Sequence, residues 1–430
     1  MSSLSTLIFR NNLVESHHSI KCYIGSLNGD TLFSTENTND LIYPRSSIKI
    51  FQGIPFSNSK AIDFYKLNNK QIALSCSSHN AESFHIKELN SWLKKTNLTS
   101  SHLKCGIHNP LDKKSAEKLF LSGKKPYQIH NNCAGKHLAM LSSCLINKFP
   151  IKNYLDFDHP HQERIRKVFS IFTENNIPKK NYGIDGCSAP QYAFKIKDLA
   201  QGLCNLLKSY NGRFDYAENV KLIINSIILN PLFIGGSNNL DSNLMKISDK
   251  KIFCKGGAEG VFLFIHLKKG IFGILKVIDG NERVLPSAVC ALFEKLKVIG
   301  KEELKKLKEL EFHINDHQKE QPEYYKASTE MGDWIYNLVL GNSDIIDTSN
   351  STNSQNMIDP IFLRNMFFAI NINGFALGKY GCGLFPGLAS MFNHSCNENI
   401  AHNFEQDNTR NNSGKHVMVF RALDTIKPGT

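Results

Sequence analysis

The chain has 430 residues, 41% of them hydrophobic, and a formal net charge of +12. That length allows two or three domains with a sizeable core, and no run reaches the roughly 18 apolar residues of a membrane helix. The start MSSLSTLIFRNNLVES lacks the apolar stretch and cleavage site of a signal peptide, and the lysines are scattered, so the expectation is a cytoplasmic protein with neither a membrane nor a nucleic-acid partner.

The one dense basic run, KEELKKLKELEF (301–312), interleaves acids, the pattern of a solvated helix face. Eleven cysteines, an odd number without a secretion signal, point to reduced thiols rather than a disulfide framework.

In chain order, KCYIGSLNGDTLFS (21–34) reads as a hairpin around Asn28-Gly29. Residues 46–56 and 82–96 read as helices, and HQERIRKVFSIFTENN (161–176) as an amphipathic helix. A short strand is expected before residue 76. KIFCKGG, GVFLFIHLKKG and IFGILKVIDG (251–280) read as a three-stranded meander. Mixed helix and antiparallel strand predict an α+β or layered α/β class. Residues 1–300 form one expected unit, 301–322 a charged helical connector, and 323–430 a second unit whose texture changes after the Ser/Asn/Thr-rich stretch 341–356.

Several stretches carry chemistry. PRSSIKIFQ (44–52) holds Ser46-x-x-Lys49. One helical turn apart, the two side chains face the same way, and a neutral lysine can take a serine proton. Lysine is neutral only when burial or another cation lowers its pKa, so a second lysine is expected nearby. Taken alone, the motif is equally an ordinary helix start. CSSHNAE (76–82) offers Ser77, Ser78 and His79; it is equally a helix cap with Glu82 closing a capping box. Lys255-Gly256-Gly257 ends a strand where a ligand could approach the backbone, or is a plain glycine turn. HNNCAGKH (130–137) packs Cys133 and Lys136 between two histidines, and GIDGCSAP (183–190) supplies Asp185 and Cys187. By spacing the cysteines are a weak zinc signal, and buried free thiols explain them as well.

The order Ser-x-x-Lys, then a second Ser, then Lys-x-Gly on a late strand is that of serine hydrolases resembling penicillin-binding proteins and class A β-lactamases. The pieces LVESHHS (13–19), YPRSSIKIFQ (43–52), CSSHNAE, KCGIH (104–108), HNNCAGKH, HPHQ (159–162), GIDGCSAP, KGGAEG (255–260) and KVIDGNER (276–283) together resemble the asparaginase II family, the thermolabile rhizobial type, over residues 8 to 300. The resemblance implies a serine β-lactamase/glutaminase-like fold, L-asparagine as substrate, and a possible homodimer. It implies a zinc site at Cys133, Lys136 and Cys187 beside two Ser–Lys pairs, Ser46 with Lys49 and Ser78 with Lys255. His79, Asp185 and Asn132 are the expected substrate-binding residues. The sequence departs from the family pattern at Ala134, Ala81 and Ala139, and at Asn239, where the family tends to carry an arginine.

LFPGLASMFNHSCNEN (384–399) followed by VFRALDTIKPGT (419–430) resembles the C-terminal half of a SET domain of the SMYD type. That implies contacts from Asn393 and His394 to S-adenosylmethionine, and a zinc-ligand role for Cys396. Glu398 stands where proline is usual. The expectation is an incomplete, mostly-β SET half-domain, because the glycine-rich cofactor loop, the tyrosine and the post-SET cysteines are missing. The function expected is L-asparagine amidohydrolysis. The alternatives are a SET-type protein-lysine methyltransferase, inactive as truncated, and a catalytically dead fusion.

Overall fold

The computed structural model describes residues 3–10, 13–314, 325–328, 400–406 and 416–422. The chain divides into two compact units, Met1–Asn342 and Ser343–Thr430. In the second, the described residues are the antiparallel strands Ile400–Gln406 and His416–Ala422.

The first unit is built on a seven-stranded sheet. Its path runs Tyr325–Ser328, Ser5–Arg10, Leu13–Ser26, Ile271–Val277, Val261–His266 and Ile252–Gly257, with Thr31–Ser34 paired to the long strand Leu13–Ser26. Every pairing is antiparallel. The long strand alternates as a half-covered strand should, burying His18, Ile20, Cys22 and Ile24 on one face. Val261–His266 is buried throughout, as expected for an interior strand covered on both faces. The meander expected over 251–280 is present. The hairpin expected over 21–34 is present with a four-residue connection, Leu27 to Asp30, in which Gly29 takes φ +92°.

Helices form the other part. Lys49–Ser57 is buried at all nine positions and is the central helix of the unit. Packed on it are Ala134–Ile146, Pro160–Thr173 and Ala217–Leu229. Two of them begin at a readable start: Pro160 stands at the first helical position after the His159 cap, and Ala134 follows the Asn131-Asn132-Cys133 turn.

The structure corrects four local readings. The expected strand before residue 76 is the short helix Asn69–Leu74, started by a reciprocal capping box between Asn68 and Gln71. Glu82 caps nothing with its carboxylate; it accepts instead from the backbone N–H and hydroxyl of Ser237, at 2.7 Å each. The ladder of one-turn neighbours expected for 46–56 breaks at its start, because Arg45–Ile48 is a 3-10 turn and the α-helix opens only at Lys49. The charged helix expected as a connector, Lys301–Ile314, buries Leu307 and pairs Lys308 with Glu294 and Glu303 with Lys251. It packs on the helix Leu285–Lys295 as part of the first unit.

Candidate active site

The site gathers where the central helix begins. Lys49 is its first residue and is fully buried. Its Nζ donates to the Ser78 Oγ at 3.0 Å and to the Ser77 carbonyl, and lies 3.3 Å from the Cys133 Sγ. Burial lowers its pKa below the ordinary lysine value. The sulfurs of Cys133 and Cys187 oppose this, while the charges of Lys136 and Lys255 add to it. The second lysine that the Ser-x-x-Lys reading requires is therefore supplied by two others.

Ser78 sits in the loop leaving the helix Asn69–Leu74, fixed by its N–H to the Ile234 carbonyl at 2.8 Å. Ser46, half-buried in the 3-10 turn, makes no hydrogen bond through its hydroxyl among the described residues. Arg45 before it is held at φ +51°, an uncommon left-handed conformation for a residue with a side chain. The end of the strand Ile252–Gly257 presses on this turn. A Cβ at Gly257 would lie 2.6 Å from the Pro44 carbonyl oxygen and 2.9 Å from the Ser47 nitrogen. Glycine is what lets the strand and the Ser46 turn meet.

The pairing expected from sequence is thus corrected. Lys49 bonds Ser78, not Ser46. Lys255 bonds the Asp241 carboxylate at 3.1 Å and the Gly256 carbonyl at 2.7 Å, not Ser78. The same carboxylate accepts the Gly256 N–H at 2.8 Å. Lys255 and Asp241 are almost wholly buried, 3% and 4% exposed, so the pair replaces water for both charges.

HNNCAGKH starts the helix Ala134–Ile146 directly behind Lys49. Asn131 holds the turn, its Oδ1 accepting the Cys133 N–H at 2.9 Å and its Nδ2 donating to the Cys105 carbonyl at 2.7 Å. Gly135 lets this helix lie against Leu74, whose carbonyl oxygen would be 2.1 Å from a Cβ there. Lys136 Nζ reaches Cys187 Sγ at 3.1 Å. Cys133 is the thiol of the pair, its pKa pushed well up by Cys187 and by burial. Cys187 is pulled far down, first by Cys133 and then by Lys136 against the cost of burial. Burial works against charge on Lys136, but the Cys187 and Cys133 sulfurs and Asp185 raise its pKa above the ordinary value.

Cys133, Lys136 and Cys187 fit a zinc ion by donor chemistry. Two sulfurs and one amine converge, and a tetrahedral zinc separates sulfur and nitrogen ligands by about 3.5 Å, close to the 3.1 Å between Lys136 and Cys187. Among the described residues no group of three or more His, Cys, Asp or Glu could hold a metal. A zinc ion at this place would therefore take Lys136 as a ligand beside the two cysteines.

The remaining expected residues are placed as follows. Asp185 binds Arg45 Nε and Nη2, both at 2.9 Å, tying the Cys187 loop to the residue before Ser46. Asn132 is held through its backbone, its N–H donating to His108 Nε2 at 3.0 Å and its carbonyl accepting from the His79 N–H. His79 is fully buried and stacked on His85, with Nδ1 accepting the Ala81 N–H. Asn393, His394 and Cys396 lie outside the described residues.

Residues 7–323 match the L-asparaginase II family model, about three quarters of the chain. The chain belongs to the L-asparaginase II family. Residues 276–430 match the SET domain model as well. No curated protein matches the chain. Among solved structures, one from Bacteroides dorei DSM 17855 described as a candidate beta-lactamase is 12% identical, covering 68% of this chain and 93% of that chain with a TM-score of 0.31. At that score the likeness adds nothing; the mixed fold rests on the sheet and helices themselves.

The two family matches overlap over residues 276–323. In this L-asparaginase II chain, that overlap holds the end of a sheet strand and the helix Leu285–Lys295, whose Leu292 and Phe293 are buried in the first unit. Asn239, the departure noted in the sequence, caps the helix Leu240–Ile247 by accepting the Asp241 N–H at 2.9 Å. Sequence reasoning passed over Asp241 itself, two residues on, and Arg45 beside Ser46. The signal was present in each case: a carboxylate in an otherwise polar-neutral stretch, and an arginine adjoining Ser46 of the Ser-x-x-Lys motif.

Proposed function

We propose that this hydrolase is an L-asparagine amidohydrolase working through Ser78 and Lys49, with Ser46 as the second hydroxyl of the site. The observation that carries the assignment is the 3.0 Å contact from a fully buried Lys49, whose pKa is lowered, to the Ser78 hydroxyl. Neutral Lys49 takes the Ser78 proton as Oγ attacks the side-chain amide carbon. Backbone N–H groups at the start of the Arg45–Ile48 turn donate hydrogen bonds to the developing oxyanion. The Lys49 ammonium returns its proton to the leaving nitrogen, and ammonia departs. Water, giving its proton to Lys49, attacks the resulting ester; Lys49 passes that proton to the departing Ser78 Oγ, and aspartate is released with both groups restored. Lys255, fixed by Asp241 rather than bonded to either serine, adds to the lowering of the Lys49 pKa. Cys133, Lys136 and Cys187 would hold a zinc ion, which would supply Lewis-acidic positive charge to the site when bound.

The two serines are separated by comparing Ser78→Ala and Ser46→Ala in ammonia release from L-asparagine. Ser78→Ala should lose at least about a hundredfold, or some 2.7 kcal/mol of barrier. A Ser78→Ala enzyme within about tenfold of wild type, beside an inactive Ser46→Ala enzyme, transfers the nucleophile's role to Ser46.

The SET match over residues 276–430 favours a second reading, an S-adenosylmethionine-dependent protein-lysine methyltransferase in the C-terminal unit. Calorimetric titration of the full chain with S-adenosylmethionine decides it. Micromolar binding supports the reading, and no heat at millimolar cofactor removes it.

A further inference from the structure

CSSHNAE ends in Glu82, a residue that neither the serine chemistry nor the zinc donor set uses. Its carboxylate stands at the start of the helix Ser83–Thr96 without capping it. It reaches across to another element, where its two oxygens accept the Ser237 N–H and the Ser237 hydroxyl, each at 2.7 Å. The backbone is shaped to that contact. Gly236 takes φ +107°, and a Cβ there would lie 2.4 Å from Glu82 Oε1. Two consecutive glycines, Gly235 and Gly236, leave the chain before Ser237 unusually free, so the turn depends on an outside anchor. What stands at the ends of this segment gives the anchor its importance. At one end the Ile234 carbonyl accepts the Ser78 N–H at 2.8 Å. At the other, Asp241 holds Lys255 at 3.1 Å. Glu82 itself leaves the Ser78 loop four residues after the serine, so the clamp ties that loop twice to one segment.

We propose that Glu82 is a positioning residue of the active site: its carboxylate clamps Ser237 and so fixes the segment 234–241, which holds Ser78 at one end and Lys255 at the other. The proposal rests on the Ser78/Lys49 reading. Glu82 acts through Ser237 and not on the substrate. Hydrogen bonds to a charged acceptor are among the stronger ones, and removing both returns the Gly235-Gly236 turn to its freedom. The nucleophile's N–H then loses a fixed partner, while Lys49 and the Arg45–Ile48 turn stay where they are. The chemical step suffers, and substrate binding does not.

The test compares full-chain Glu82→Ala and Glu82→Gln with wild type in two measurements, hydrogen–deuterium exchange and steady-state hydrolysis of L-asparagine. In Glu82→Ala the Ser78 amide should exchange about tenfold faster or more, the size of losing bonds to a charged group, with the strand Val261–His266 exchanging as before. Its kcat should fall about tenfold or more with KM within about twofold of wild type. Glu82→Gln keeps an acceptor for the Ser237 N–H and should recover kcat to within about threefold. A Glu82→Ala enzyme with unchanged Ser78 exchange, or with kcat within about threefold of wild type, overturns the proposal. So does exchange that rises evenly over the whole chain, the mark of a merely structural residue, or a Glu82→Gln enzyme no better than Glu82→Ala. If Glu82→Ala does not fold, Ser237→Ala, which deletes only the hydroxyl half of the clamp at an exposed position, takes its place, and unchanged Ser78 exchange there overturns the proposal equally. If folded wild type releases no ammonia, the Ser78/Lys49 reading fails, and the exchange comparison alone decides whether Glu82 holds Ser78 in place.

Discussion

At the scale of single residues, the site's members were legible in the sequence but their pairing was not. Ser46, Lys49, Ser78, Cys133, Lys136 and Cys187 stand in recognisable stretches. The partner of Lys49 was misread because a one-turn spacing presumes a continuous α-helix, and the chain changes from a 3-10 turn to an α-helix between the two residues. The partner of Lys255 was misread because Asp241 lies 14 positions away on a different element, which no local pattern reveals. Asp241→Asn removes one half of a buried ion pair, a change that costs on the order of 3–5 kcal/mol. Urea melts of the variant measure this, and a loss under about 0.5 kcal/mol would mean that the pair does not hold the strand end in place. The lowered pKa of Lys49 has two signed consequences. Activity, which needs the neutral amine, should rise with pH through a pKa below 10.5. Stability should also rise with pH across the interval from that folded value up to 10.5, because there the unfolded chain binds a proton that the folded chain does not. Zinc uptake should release about two protons, one from Cys133 and one from Lys136, so occupancy falls in acid. Metal analysis across pH, with Cys187→Ser as the weakened control, reads this directly.

At the scale of elements, the hairpin, the meander and the long helices follow from period and turn chemistry. Asn69–Leu74 did not, since six residues are too few to distinguish a buried helix from a buried strand, and only the Asn68 and Gln71 cap decides. Two close approaches hold the site's elements together. Gly257→Ala places a Cβ 2.6 Å from the Pro44 carbonyl oxygen and should displace the Ser46 turn, lowering activity more than stability. Gly135→Ala forces the helix Ala134–Ile146 away from Leu74 and should cost about 3 kcal/mol or more. Thermal melts beside ammonia assays separate the two effects. Equal activity in Gly257→Ala and wild type would show that the strand end does not shape the site.

At the scale of the molecule, the two textures of the sequence match two families, and the structure places the shared stretch up to residue 314 in the first unit. The charged helix Lys301–Ile314 was not legible as part of that unit, because the stripe that packs on the core, Leu304, Leu307 and Leu310, is one side chain wide among many charges. The first unit also carries several buried histidines whose charging opposes folding. Burial lowers His85 to about 4, with the Leu232 carbonyl opposing, and His161 to about 3. Each is neutral when folded and gains its proton only on unfolding. Stability present above the ordinary histidine value of 6.5 is therefore lost as pH falls toward those folded values, by up to about 1.4 kcal/mol per pH unit for each. The melting temperature should drop by several degrees between pH 7.5 and pH 5, and His161→Leu should flatten that drop. A melting temperature independent of pH over this range would contradict the burial of these rings.

The central claim is that a buried lysine activates a serine for amide hydrolysis. The most direct measurement is ammonia and aspartate release from L-asparagine by the purified full chain, beside a Lys49→Met variant of similar volume. Wild type should turn over with equal yields of both products, and Lys49→Met should fall at least about a thousandfold, some 4 kcal/mol of barrier, while still folding. No release from folded wild type with zinc present, or a Lys49→Met enzyme within tenfold of it, would contradict the account.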